Sequence, residues 1–177
     1  MLYAKRPRIT LQKSRLDNLL EILTFVLITG AVGLIGWYYN QLPDQIPIHF
    51  NWPSKDENGF GSKNLLWASP IICGVLAIGL HILNSYPRIF NYPVKITQEN
   101  AAYQYRQATR MIRILNLIIG LLCLSVTVGS ISDGLGYESD FDFYINLLFP
   151  VLFIGVPFFF LIKMAVRKKS KTNRTEA

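Results

Sequence analysis

The sequence predicts an all-α integral membrane protein: a four-transmembrane-helix bundle with a Pro-rich extracytoplasmic loop between helices 1 and 2. Three observations predict it. Four long apolar runs occupy 19–39, 65–84, 112–132 and 143–166. Only 16% of the 177 residues are charged against 51% hydrophobic, a deficit that soluble domains do not show. The connections between the runs also alternate between basic and acidic. The runs leave room for one membrane domain over 1–177, with tails at 1–18 and 167–177.

Each run is long enough to cross a hydrocarbon core of roughly 30 Å at about 1.5 Å per residue. Before the first, Ser14 and Asp17 have the form of a capping box, which places a helix start near Arg15. Trp37, Tyr38 and Tyr39 close that run as an interfacial aromatic belt. Its basic approach also fits a signal peptide, but the apolar stretch is too long for a signal core and no small-x-small site follows, so a retained span is expected. Gly30, Gly33 and Gly36 recur every three residues within it, a smooth stripe against which another helix can pack closely.

The first connection contains Pro43, Pro47 and Pro53, which exclude a regular helix. Ile46, Ile48, Phe50 and Trp52 alternate there with Pro47, His49, Asn51 and Pro53. In an extended chain this sends the apolar side chains to one face, toward the bilayer interface or the helix ends, and His49 and Asn51 to the other. Asp44, His49, Asn51 and Asp56 are the candidate residues for a ligand or partner. A lone histidine near carboxylates falls short of the three or four ligands of a zinc site, and His49 bonding a backbone group to shape the loop is the competing reading.

The second run is entered by Lys63 and Trp67, and a Pro-bounded segment from Tyr86 to Pro93 follows it. Thr97 is a candidate N-cap, and nothing after Gln98 breaks a helix, so the third span is expected to begin as a continuous helix well before its apolar part. Ala101, Tyr105, Ala108 and Ile112 recur at helical spacing on its inner face. Glu21 and Arg113, near the ends of their runs, can reach water and can pair, at about 1 kcal/mol or less for an exposed pair. Pro150, Gly155 and Pro157 interrupt the fourth run as candidate kinks. Cys73 and Cys123 lie in mid-run and read as buried apolar side chains, with a redox pair open to them only if their helices touch.

Lys and Arg crowd the N-terminal tail, the second connection and the C-terminal tail. The first connection carries Lys55 and Lys63 against Asp44, Asp56 and Glu57, and the third carries only acids. The positive-inside rule then puts both termini and the middle connection in the cytoplasm. The net charge of +7 follows from these flanks, and no nucleic-acid motif accompanies it. No nucleophile elbow, Walker loop, HExxH or paired-carboxylate motif occurs, so no enzyme activity, catalytic residue, cofactor or metal is expected. No charge sits mid-span, which argues against a proton-coupled transporter.

The stretch Leu42-Pro43-Asp44-Gln45-Ile46-Pro47-Ile48-His49-Phe50-Asn51, followed by Gly59-Phe60-Gly61-Ser62-Lys63, resembles the signature of a bacterial membrane family of unknown function. That domain is shared with the Sdp-type immunity proteins, which protect a producing cell from its own secreted toxin. Pro43, Pro47, His49, Asn51, Gly59, Gly61 and Lys63 match the motif, over roughly an eighth of the chain. Pro93 to Asn100 also resembles the family's cytoplasmic connection. The resemblance implies the fold and a location in the bacterial inner membrane. Two functions follow as expectations. One is a non-enzymatic binding, immunity or signalling component whose loop meets an extracytoplasmic peptide or protein. The alternative is a small transporter or transporter subunit. The lipid bilayer is the expected partner, a second copy of the chain is an open one, and nucleic acid is not expected.

Overall fold

Four helices carry the fold of the computed structural model, which describes residues 6–47, 59–137 and 141–175, with side chains outside 141–146 and 167–175. They are α1 (Arg15–Tyr38), α2 (Ala68–Leu83), α3 (Gln98–Gly134) and α4 (Phe141–Thr175). α1, α3 and α4, and α2 together with the 3-10 turn Lys63–Trp67 before it, each contain a stretch long and apolar enough to cross a membrane, the mark of a multi-pass membrane protein. Large apolar side chains such as Ile22, Val26, Ile71, Val75, Ile154 and Phe158 face outward and stay exposed. In water such a surface would be an aggregation liability; against acyl chains it is the ordinary outer surface.

The start of α1 follows from local chemistry. Ser14 Oγ accepts from the Asp17 N–H at 3.2 Å, and Asp17 Oδ2 accepts from the Ser14 N–H at 2.9 Å, closing the capping box read from the sequence. Thr97 and Asn100 form a second box at the start of α3. From there α3 runs unbroken for 37 residues, about 55 Å, well beyond the roughly 30 Å of a hydrocarbon core. Ala101, Tyr105, Ala108 and Ile112 are all buried on it, as their spacing requires.

The long helix is the hub, packing against α1, α2 and α4. Of its most apolar stretch 44% is buried, against 22% or less in the other three. Cys73 and Cys123 meet in the central cluster with Ile28, Ala31, Ala77 and Ile119, as free thiols. The helices run alternately up and down. Ile35, Leu42, Ile46, Leu66 and Ile131 cluster at the loop end, while Ala108, Phe160 and Met164 cluster at the tail end.

Three features go beyond what the sequence led us to expect. Pro150 and Pro157 lie inside a helix that continues through both and on to Thr175, beyond its apolar stretch Leu147–Val166. The first connection is not merely extended: β1 (Gln45–Pro47) pairs antiparallel with β2 (Phe60–Ser62), Ile46 standing opposite Gly61. Gly30, Gly33 and Gly36 face away from the other described helices, since a Cβ at any of them would meet nothing within 4 Å. Close approach occurs at Gly120 instead, where a Cβ would stand 3.1 Å from the Thr24 carbonyl oxygen of α1. A helix can give little there, because the obstacle is backbone.

Candidate functional site: a rooted loop and a charged cavity

Two polar regions lie at opposite ends of the bundle. At the loop end, the strand pair fixes where the first connection leaves and re-enters the helices. Ile46 is buried to 1% exposure against Leu42, Ile35, Leu66 and Ile131, so the extended segment presses its apolar face on the helix ends. Gly134, at the end of α3, makes room for it; a Cβ there would lie 2.6 Å from Leu42 and 3.0 Å from Ile46. Lys63 ties the base together. Its Nζ donates to the Leu42 carbonyl at 3.2 Å, stands 3.1 Å from Asp44 Oδ1 and lies 5.0 Å from the centre of the Tyr39 ring. The Tyr39 hydroxyl donates to Asn64 Oδ1. Gly59 adopts φ 90°, a left-handed backbone that glycine takes without strain, as β2 begins.

Of the four candidate loop residues, only Asp44 is described, and its side chain is 97% exposed. His49, Asn51 and Asp56 lie outside the described residues. Lys63, which the sequence marked only as a motif position and a span entry, anchors the loop. Its signal was there to be read, in its place at the end of the loop motif and the entry to the second run.

At the tail end, α1, the last turn of α2 and α3 meet beneath residues 6–14, which cross them as a strap. The strap is pinned at its far end. The Arg6 guanidinium donates to the carbonyls of Arg88 at 2.8 Å and Phe90 at 2.6 Å, and lies 5.4 Å from the Tyr92 ring centre. The Tyr105 hydroxyl donates to the Pro7 carbonyl at 3.1 Å. Burial, and the neighbouring Tyr105, push the Tyr92 phenol above its ordinary pKa.

Between its pins the strap roofs a cavity of about 360 Å³. Its lining includes Lys13, Glu21, His81, Asn84, Arg106 and Arg113. Glu21 is held by Lys13 at 2.6 Å and by Arg113 Nε at 2.7 Å, with His81 Nδ1 at 3.9 Å. Asp17 is held by Arg110 at 3.2 Å and Arg113 at 3.6 Å. The expectation for Glu21 and Arg113 was right about the pair and wrong about its setting. Their side chains are 14% and 10% exposed, because α1 and α3 pack face to face and the strap covers the join. Among the described residues no group of His, Cys, Asp and Glu could hold a metal ion.

The model of a domain of unknown function, DUF1648, matches residues 25–74, from the middle of α1 through the loop into α2. An uncharacterized protein of Archaeoglobus fulgidus is 27% identical over 159 residues, covering 80% of this chain and 86% of the relative. No solved structure matches the chain.

Proposed function

We propose that the chain is a non-enzymatic binding component of the cytoplasmic membrane, of the immunity or signalling type. Its loop between α1 and α2 faces outward and meets an extracytoplasmic peptide or protein. The observation that carries this reading is the rooted base. Ile46, Lys63 and the strand pair hold the two ends of segment 48–58, so a ligand meeting Asp44, His49, Asn51 or Asp56 meets a segment whose ends are already ordered. Fixing the ends beforehand lowers the ordering cost of binding. The matched stretch 25–74 is centred on this loop, and the loop motif resembles that of the Sdp-type immunity proteins. The basic tails and middle connection support an orientation with both termini in the cytoplasm.

His49→Ala and Asn51→Ala, made separately, test the reading in a strain lacking the chromosomal copy. The expected result is normal membrane abundance and thermal stability with loss of resistance in a screen against secreted toxins and envelope stress. Full resistance in the double variant overturns it. Single cysteines test the orientation. Asn58→Cys and Ser139→Cys should react with an impermeant reagent in intact cells, and Gln98→Cys and Thr172→Cys only after permeabilisation.

A small transporter is the second reading, and the charged cavity favours it. Against it stands the apolar cluster of Ile28, Ala31, Ala77 and Ile119 at mid-bundle, which offers a polar solute few partners. Solute flux in proteoliposomes, abolished by Arg106→Gln in a folded variant, is the result that would bring this reading forward.

A further inference from the structure

The cavity under the strap has a charge balance that its own ion pairs do not use up. Three cations line it, Lys13, Arg106 and Arg113, with two carboxylates, Asp17 and Glu21, and Arg110 holds Asp17 from outside the lining; together they leave a surplus of two positive charges. Both carboxylates are already held by two cations each. Arg106 is different. It lines the cavity, yet among the described residues its guanidinium has no carboxylate and no hydrogen-bond acceptor. Another lining residue has the opposite need. Asn84, in the turn that ends α2, is 8% exposed, and among the described residues its Oδ1 is buried without a donor. A buried acceptor left unmatched costs about 1–3 kcal/mol, so a group that supplies the missing donor is favoured there.

From this polarity we infer that the cavity binds a phosphate ester bearing a hydroxyl or ammonium donor, as in a phosphoglycerol or phosphoethanolamine group. The phosphate sits against Arg106 and Lys13, and the donor reaches Asn84 Oδ1. The volume of about 360 Å³ lies in the usual range for small-molecule pockets, roughly 300–1,000 Å³. The surroundings suit a lipid as the source. Leu16, Leu19 and Ile22 on α1 and Ile78 and Ile82 on α2 are exposed beside Asp17, Glu21 and His81, so acyl chains attached to a headgroup in the cavity would continue onto apolar helix faces. Basic pockets between membrane helices are a recurring way to hold anionic headgroups. A soluble phosphate ester offers the same chemistry without the chains. The inference does not depend on the outward loop.

The test uses the full chain in mixed micelles of a nonionic detergent and phosphatidylcholine, reading the thermal unfolding midpoint. One arm titrates phosphatidylglycerol and the other sn-glycerol 3-phosphate. The expected result is a saturable rise with phosphatidylglycerol, and about tenfold more lipid needed for Arg106→Gln and for Asn84→Ala. The same rise with sn-glycerol 3-phosphate alone supports the site and assigns it a soluble ligand. Arg106 holds no described group, so its variant keeps the fold and decides the matter even if Asn84→Ala lowers the midpoint without ligand. A wild-type midpoint unmoved by either probe, or an Arg106→Gln titration equal to wild type, overturns the site. A folded Asn84→Ala that titrates as wild type overturns the donor end of it.

Discussion

Asp17 and Glu21 at the tail end and Asp44 at the loop end all face a basic partner at 2.6–3.2 Å, yet they live in different solvents. The Asp17 and Glu21 side chains are 5% and 14% exposed, while that of Asp44 is 97% exposed. Coulomb attraction at equal distance grows as the surroundings lose water, and so does the cost of losing a partner. Losing a partner therefore costs more in the tail-end network, whereas the Asp44–Lys63 pair contributes little beyond what Lys63 already gains from Leu42 and Tyr39. Distance alone ranks these contacts as equals. Burial separates them.

The largest expected effect comes from breaking the buried side. Arg113→Met leaves Asp17 and Glu21 short of a shared partner and should lower stability by about 3–5 kcal/mol, read as the loss of folded protein in detergent. Next is Gly120→Ala, which pushes a methyl toward the Thr24 carbonyl and separates α1 from α3 just below that network; about 1–3 kcal/mol is expected by thermal unfolding. Ser14→Ala removes the cap and the hydroxyl that accepts from Arg110 at 3.2 Å, for about 0.5–2 kcal/mol. Asp44→Asn should change stability by less than about 0.5 kcal/mol and add no salt dependence. If Asp44→Asn matched Arg113→Met, burial would not be what distinguishes the two ends. Gly33→Leu sharpens the picture from outside the comparison. With nothing within 4 Å, it should leave the unfolding midpoint of the monomer in place.

What the sequence disclosed was local. The capping box at Ser14 and Asp17, the cap at Thr97 and the buried face of Ala101, Tyr105, Ala108 and Ile112 each depend on residues a few positions apart, and each is present. What it withheld was long-range. Arg113 and Glu21 are 92 residues apart, and nothing near either says that the other, with the strap above them, shuts out water. The glycine stripe shows the same limit. A stripe at Gly30, Gly33 and Gly36 reads as a packing face, but the face that packs is chosen by the partner helix, which offers Gly120. The pairing of β1 with β2 was equally hidden, since strands of three residues carry too little pattern to stand out among prolines.

The strap also sets an order of events during biogenesis. Its contacts are with Arg88, Phe90 and Tyr105, and the guanidinium partners of Asp17 and Glu21 come 93 and 92 residues after them. A nascent chain that has released only α1 and α2 thus carries an acidic face with Lys13 and Ser14 as its local partners, and a leading segment with nowhere to dock. Synthesis of the segment after α2 and then of α3 supplies the missing halves, so residues 6–14 are made well before the groups on which they dock.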